Sequence, residues 1–158
     1  MNTEPNAAHY LSKEKLAELT KELEDLRTSK RKEVAEELEY AKGLGDLSEN
    51  AEYQDAREAQ ANLEARIVEI ENILKNAVII TDRHTNTVGI GSTVHVLKEG
   101  TKEKITFMVT GTEEADLANS KLSNQSPLGQ AIIGKKKGDT VTVNAPKGKV
   151  TYKIEGIE

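Results

Sequence analysis

Carboxylates crowd one short stretch of the chain. The run Gly43-Leu44-Gly45-Asp46-Leu47-Ser48-Glu49-Asn50-Ala51-Glu52-Tyr53 brings acidic residues to positions 46, 49 and 52, and Asp55 follows. Asp46 and Glu49 stand three apart, which can set two side chains on one face where a helix begins. Hard oxygen ligands of this kind suit Mg²⁺, which normally takes one or two protein carboxylates and keeps water or substrate phosphate elsewhere. The same spacing is also that of a capping box, with Asp46 as N-cap and Glu49 at the third helical position. Ser48 is a rival N-cap, and acidic groups in a first turn suit the helix dipole in any case. Glu52 and Asp55 nevertheless bring more negative charge than a cap requires.

A second concentration is basic: Arg27-Thr28-Ser29-Lys30-Arg31-Lys32. It reads either as a solvated helix face paired with Glu33, Glu36 and Glu37, or as a small patch touching nucleic-acid phosphate through Arg27, Lys30, Arg31 and Lys32. Other chemistry is thin. His9, His84 and His95 are far apart and in unlike contexts, which suits surface or structural roles. There is no cysteine, hence no disulfide framework, zinc–thiolate site or thiol nucleophile. No HExxH occurs, and Gly89-Ile90-Gly91 leads into a strand and not into a phosphate-cradling helix.

Two long helices are predicted to carry the acidic stretch between them. Ser12 fits an N-cap, and Leu16, Leu19, Leu23 and Leu26 recur at 3, 4, 3 spacing. Val34, Leu38 and Ala41 continue this seam after a phase shift near Lys30. Ala56, Leu63, Ile67, Ile70, Leu74 and Ala77 form the seam of the second helix. Gly43 and Gly45 can end the first helix through left-handed conformations. Two such helices joined by a short break fold back to bury both seams, giving an antiparallel coiled-coil hairpin with its tip at 43–48. About thirty residues at ~1.5 Å rise make a rod of roughly 45 Å. A dimeric four-helix bundle is the alternative that the seams alone leave open.

Composition changes near residue 76, and the boundary is placed between Lys75 and Ile80. Residues 1–76 carry 11 Lys+Arg against 18 Asp+Glu, whereas 77–158 carry 11 against 9. Period-2 alternation marks strands over Ser92–Lys98, Glu103–Thr110, Thr140–Ala145 and Lys149–Ile157. Pro146-Lys147-Gly148 joins the last two as a hairpin. Ser126 before Pro127 starts a short helix over Leu128–Ile133, and Lys135-Lys136-Lys137-Gly138-Asp139 makes a basic turn. The fold class is therefore α+β: a helical hairpin over 1–76, then over 77–158 a small antiparallel sheet with one short helix.

The formal net charge of −5 disfavours stand-alone, sequence-specific DNA binding, where phosphate neutralisation supplies most of the affinity. The longest aliphatic run, Ala77-Val78-Ile79-Ile80, is far short of the ~20 residues that span a bilayer. The polar start MNTEPNAAHY lacks the pattern of a signal peptide, so no membrane association and a cytoplasmic location are expected. A proline-isomerase pocket needs an aromatic lining, and 77–158 offers only Phe107 and Tyr152.

Gly45-Asp46-Leu47-Ser48-Glu49-Asn50-Ala51-Glu52-Tyr53, with Ala56-Arg57-Glu58 and Arg66-Ile67, resembles the signature of the bacterial transcript cleavage factor family GreA/GreB. Ser123-Asn124-Gln125-Ser126-Pro127-Leu128-Gly129, Ile133-Gly134-Lys135-Lys136 and Gly138-Asp139 are similar to that family's C-terminal domain. The likeness runs from about Tyr10 to Ile157, and the small basic stretch brings it nearer the GreA branch. The resemblance implies an FKBP-like C-terminal domain and a non-enzyme that stimulates RNA hydrolysis by RNA polymerase. It implies a coiled coil entering the polymerase secondary channel, with Asp46 and Glu49 helping to hold a second Mg²⁺ beside the backtracked nascent RNA. That Mg²⁺ would be shared with the polymerase and not bound tightly by the factor alone. Ser48, Asn50, Glu52 and Tyr53 would support the tip. A channel-binding paralogue that regulates without cleavage is the alternative. Relatives often carry Arg-Glu-His-Gly-Asp where this chain has Lys42-Gly43-Leu44-Gly45-Asp46, and frequently a proline at Lys32. The missing His and the Lys-for-Arg change remove groups that could touch nucleic acid or catalytic water, and an uninterrupted Lys32 favours a straighter first helix.

Overall fold

The structure, a computed structural model, describes residues 8–46, 50–81, 86–101, 103–146 and 148–158. The chain divides into two compact units: Leu16–Asn76, and the residues up to Lys15 together with Ala77–Glu158. A single cut near 76 would leave the first fifteen residues with the helices. They group with the strands instead, because β1 (His9–Leu11) pairs in parallel with β2 (Ala77–Ile79).

The helical unit is built from α1 (Lys13–Asp25), a π turn (Leu26–Lys30), α2 (Arg31–Gly43) and α3 (Ala51–Lys75). Both junction residues, Asp25 and Lys30, have right-handed helical backbone angles, so the first three pieces form one unbroken helix. The π turn explains the phase shift in the sequence. Continuing the early leucine spacing would put seam residues at 33, 37 and 40, yet Val34, Leu38 and Ala41 each come one residue later. A π turn absorbs one extra residue and returns the seam to the same face. Leu19, Leu23 and Ala41 are buried there, with Leu16, Leu26, Val34 and Leu38 half-buried. Lys32 itself lies in the first turn of α2, directly after the π turn.

On α3 the buried residues are Ala56, Leu63, Ile67, Ile70 and Ile73. The heptad reading put Leu74 and Ala77 in this seam. Leu74 is only half-buried, because the apolar stripe at this end is broad enough to take in Ile73. Ala77 lies outside the helix, which ends at Lys75, and pairs with His9.

The second unit holds a five-stranded sheet in the order β5 (Lys121–Ser123), β4 (Lys104–Thr110), β3 (Thr93–Lys98), β7 (Gly148–Ile157), β6 (Thr140–Ala145). Its pairs are antiparallel except β4–β5, which is parallel. The sheet is thus antiparallel as expected, apart from the three-residue pairing of β4 with β5. Strands β1, β2 and β5 are three residues each, too short to show an alternating pattern. Val88, Val94, Val96, Val109, Leu122, Ile132, Val141 and Ile154 make the core, with Phe107 and Tyr152 packed against it. The alternating valines and isoleucines of β3, β4 and β7 point into this core, as period 2 requires. His95 pairs with Gly156 and Val96 with Ile154, so Glu155 is the extra residue of a β-bulge.

Two glycines are dictated by close approach. A Cβ at Gly111 would lie 1.9 Å from the Tyr10 carbonyl oxygen, so only glycine lets β1 pass there. One at Gly129 would lie 2.0 Å from the Ser123 carbonyl oxygen. Gly129 sits in α4 (Pro127–Ile132), whose N-cap Ser126 accepts the Gly129 N–H at 3.0 Å and donates its hydroxyl to Ser123 O at 2.7 Å. The helix starts and stops one residue earlier than predicted, because Ile133 is already extended (ψ 133°).

Candidate functional site

The described residues of the acidic stretch run from the end of α2 through Asp46 and, from Asn50, into the first turns of α3. Helix α2 runs through Gly43, and the Leu44 N–H returns to the Ala41 carbonyl at 3.2 Å. Of the two glycines expected to turn left-handed, Gly45 does so (φ +126°), while Gly43 is the last helical residue. Gly45 then delivers Asp46 to an exposed position. The other candidate carboxylate, Glu49, and the candidate cap Ser48 lie outside the described residues.

Helix α3 is capped by Asn50. Its extended backbone (φ −87°, ψ 96°) is that of an N-cap, and its Oδ1 accepts the Tyr53 N–H at 3.0 Å. Helix α3 therefore starts at Ala51, with Asn50 and not Asp46 as its N-cap. Asn50 also donates from Nδ2 to the Ala41 carbonyl at 2.7 Å, so one side chain ties the last turn of α2 to the first of α3. Of the other tip-support candidates, Tyr53 is half-buried and Glu52 is exposed in the first turn, where its charge suits the helix dipole. Tyr40 (68 % exposed) and Leu44 (51 % exposed) add apolar surface near the tip that the sequence reading did not single out.

The basic stretch is engaged by carboxylates. Arg31 forks onto Glu64 of α3 through Nε at 2.8 Å and Nη2 at 2.6 Å. Arg27 reaches Glu71 at 2.6 Å, and Arg66 of α3 returns a two-pronged contact to Glu22 at 2.8 and 3.1 Å. Lys30 pairs with Glu33 at 2.6 Å and Lys32 with Glu36 at 3.7 Å. Ala41 meets Asn50 whereas Arg31 meets Glu64, so advancing along α2 means retreating along α3, as an antiparallel hairpin demands. The candidate RNA-contact residues thus work first as interhelical and intrahelical pairs. The hydrogen bond from Arg31 holds the Glu64 carboxyl below its ordinary value of 4.5.

A pH dependence follows from that shift. A carboxyl with a depressed folded pKa adds stability that is present above about pH 4.5 and disappears as pH falls through the lower, folded value. Melting curves by circular dichroism should show the Glu64→Gln variant losing less melting temperature than wild type on acidification below pH 4.5. Superimposable pH profiles for the two proteins would discard this role for the pair.

Among the described residues no group of three or more His, Cys, Asp or Glu is arranged to hold a metal ion. His9 pairs with Glu113 at 3.2 Å, and His95 sits between Thr106 at 2.8 Å and Glu158 at 3.3 Å. Both are structural contacts of the sheet unit, and His84 lies outside the described residues. Among the described residues no helix is long and apolar enough to cross a membrane.

Comparison with known proteins covers both units. Residues 9–79 match the family "Transcription elongation factor, N-terminal", and 83–158 match "Transcription elongation factor, GreA/GreB, C-term". The chain is 42 % identical over 151 residues to transcription elongation factor GreA of Clostridium perfringens (strain 13 / Type A), covering 94 % of this chain and 96 % of that protein. It is 47 % identical over 151 residues to the GreA of Acetivibrio thermocellus, covering 94 % and 95 %. The crystal structure of GreA factor homolog 1 (Gfh1) of Thermus thermophilus aligns at 28 % identity over 96 % of this chain and 99 % of that one, with a TM-score of 0.44.

Proposed function

We propose, from the premise that this chain belongs to the GreA/GreB family of transcription elongation factors, that it stimulates cleavage of backtracked nascent RNA by RNA polymerase. In this reading the helical hairpin enters the polymerase secondary channel from the cytoplasm's soluble pool and carries Asp46, with Glu49, to the catalytic centre. Helix α3 alone spans 25 residues, roughly 37 Å at ~1.5 Å per residue, which suits a probe for a deep, narrow site. The supporting observation is the division of labour at the tip: Asn50 caps α3, and Asp46 stands exposed on the preceding turn.

The donor set fits a shared Mg²⁺. A carboxylate on an exposed turn is a hard oxygen ligand of the kind this ion takes one or two of. When bound, Mg²⁺ supplies charge stabilisation to the attacking and leaving oxygens of phosphodiester hydrolysis. The Asp46 carboxylate presents negative charge and accepts hydrogen bonds from a water aimed at the phosphate. Gly45 sets the direction of that presentation through its left-handed backbone. Asn50 fixes the base of the turn. The arginine pairs to Glu64 and Glu71 hold the two helices in register behind it. The chain is then no enzyme by itself: the scissile bond and most of the site belong to the polymerase.

The test is a stalled, backtracked elongation complex assayed for RNA cleavage and for nucleotide addition side by side, with and without the factor. Faster cleavage with resumed elongation is the expected result. Slowed nucleotide addition without cleavage would select a channel-blocking regulator instead.

A further inference from the structure

We propose that Asn50 is a positioning residue for cleavage, whose amide locks the carboxylate-bearing turn by bridging the ends of α2 and α3. This rests on the cleavage reading given above. Both halves of the Asn50 amide are committed: Oδ1 accepts the Tyr53 N–H at 3.0 Å and Nδ2 donates to Ala41 O at 2.7 Å. The first contact is an ordinary N-cap that serine or aspartate can supply equally well. The second is not. It needs a donor on the capping side chain that reaches a carbonyl nine residues back, on the other helix.

That carbonyl is a sensitive point. Ala41 is buried at 2 % exposure, and its oxygen also accepts the Leu44 N–H at 3.2 Å. Asn50 thereby ties the start of α3 to the end of α2 on the two sides of the turn that carries Asp46. Asn50 is half-buried, which shields the bridge from water. Without the Nδ2 donor, α3 keeps its cap but loses this side-chain tie to the last turn of α2. Catalytic geometry is intolerant of such slack, since a misplacement of about 1 Å can cost on the order of 100-fold in rate.

Two substitutions isolate the bridge. Asn50→Asp and Asn50→Ser both keep a capping acceptor; the aspartate has no donor, and the serine hydroxyl, bonded directly to Cβ, stops one bond short of the Nδ2 that reaches Ala41. The serine variant adds no charge, so it controls for the carboxylate that the aspartate variant introduces near Asp46. Each full-length variant is assayed on a backtracked complex at saturating factor with Mg²⁺ titrated, alongside polymerase affinity by competition and helical content by circular dichroism. The expected result is a fall in cleavage rate of about 10-fold for both, with a higher half-saturating Mg²⁺ concentration and unchanged polymerase affinity. Wild-type rates and Mg²⁺ dependence in both variants would overturn the proposal. So would a rate loss that simply tracks lost affinity or lost helix. Asp46→Ala is run beside them: if it too leaves cleavage intact, the cleavage reading itself has failed and the role of Asn50 with it. If it abolishes cleavage while the Asn50 variants match wild type, the Asn50 proposal alone falls.

Discussion

Replacing Asp46 by alanine should lower stimulated RNA cleavage by about 100-fold or more while leaving binding to RNA polymerase intact. The size follows from the role. An ion that stabilises attacking and leaving oxygens is worth several kcal/mol, and each ~1.4 kcal/mol is a factor of ten in rate. The selectivity follows from the geometry. Asp46 is exposed on the turn, α3 is capped by Asn50, and the helices are held by pairs such as Arg31–Glu64, so truncation at 46 leaves the hairpin scaffold intact. Glu49→Ala should behave alike if the second carboxylate shares the ion. The decisive comparison is single-turnover cleavage of a backtracked complex over a Mg²⁺ series, with polymerase affinity measured on the same preparations. Full cleavage by an Asp46→Ala, Glu49→Ala double variant would remove the chemical basis of the proposed function.

Gly129→Ala should destabilise the sheet unit by about 3 kcal/mol or more. The added methyl would sit 2.0 Å from the Ser123 carbonyl oxygen and 3.0 Å from Ser126 Oγ. Neither neighbour can move cheaply. Ser123 O accepts both the Ser126 N–H at 3.1 Å and the Ser126 hydroxyl at 2.7 Å. Ser126 Oγ in turn caps α4, which buries Ile132 in the core. One methyl therefore breaks a turn, a cap and a core contact together. Gly89→Ala is the matched control, because its Cβ would meet only Ser92 Oγ at 3.9 Å. Urea denaturation should place it within ~1 kcal/mol of wild type. Equal stability of the two variants would show that the chain near Ser123 yields more readily than its hydrogen bonds suggest.

What the sequence disclosed tracks how long each pattern runs. The leucine seam of α1 and the valines of β3 repeat often enough to reveal both element and face. The phase shift between Leu26 and Val34 was visible too, and its cause is the π turn. Strands β1, β2 and β5 leave no trace, since three residues do not make a period, and all three pair in parallel with strands elsewhere in the chain. At the tip, three residues with good capping chemistry (Asp46, Ser48 and Asn50) competed within five positions. Local preference ranks them as equals. Asn50 makes a second bond, to Ala41 of the other helix, which no local pattern records. The arginines were likewise ambiguous, because their partners Glu64 and Glu71 sit on the opposite helix.

Pairing of β1 with β2 makes the helical unit an insertion: the sheet unit is interrupted after Lys15 and resumes at Ala77. During synthesis the hairpin can complete before β2 emerges, so β1 must wait unpaired for its neighbour. A prefolded hairpin then brings the two ends of the excursion together, replacing the entropy of closing a long flexible loop with that of a short one. Expression of residues 77–158 alone would leave β2 without its companion strand and Gly111 without the backbone it was shaped to admit.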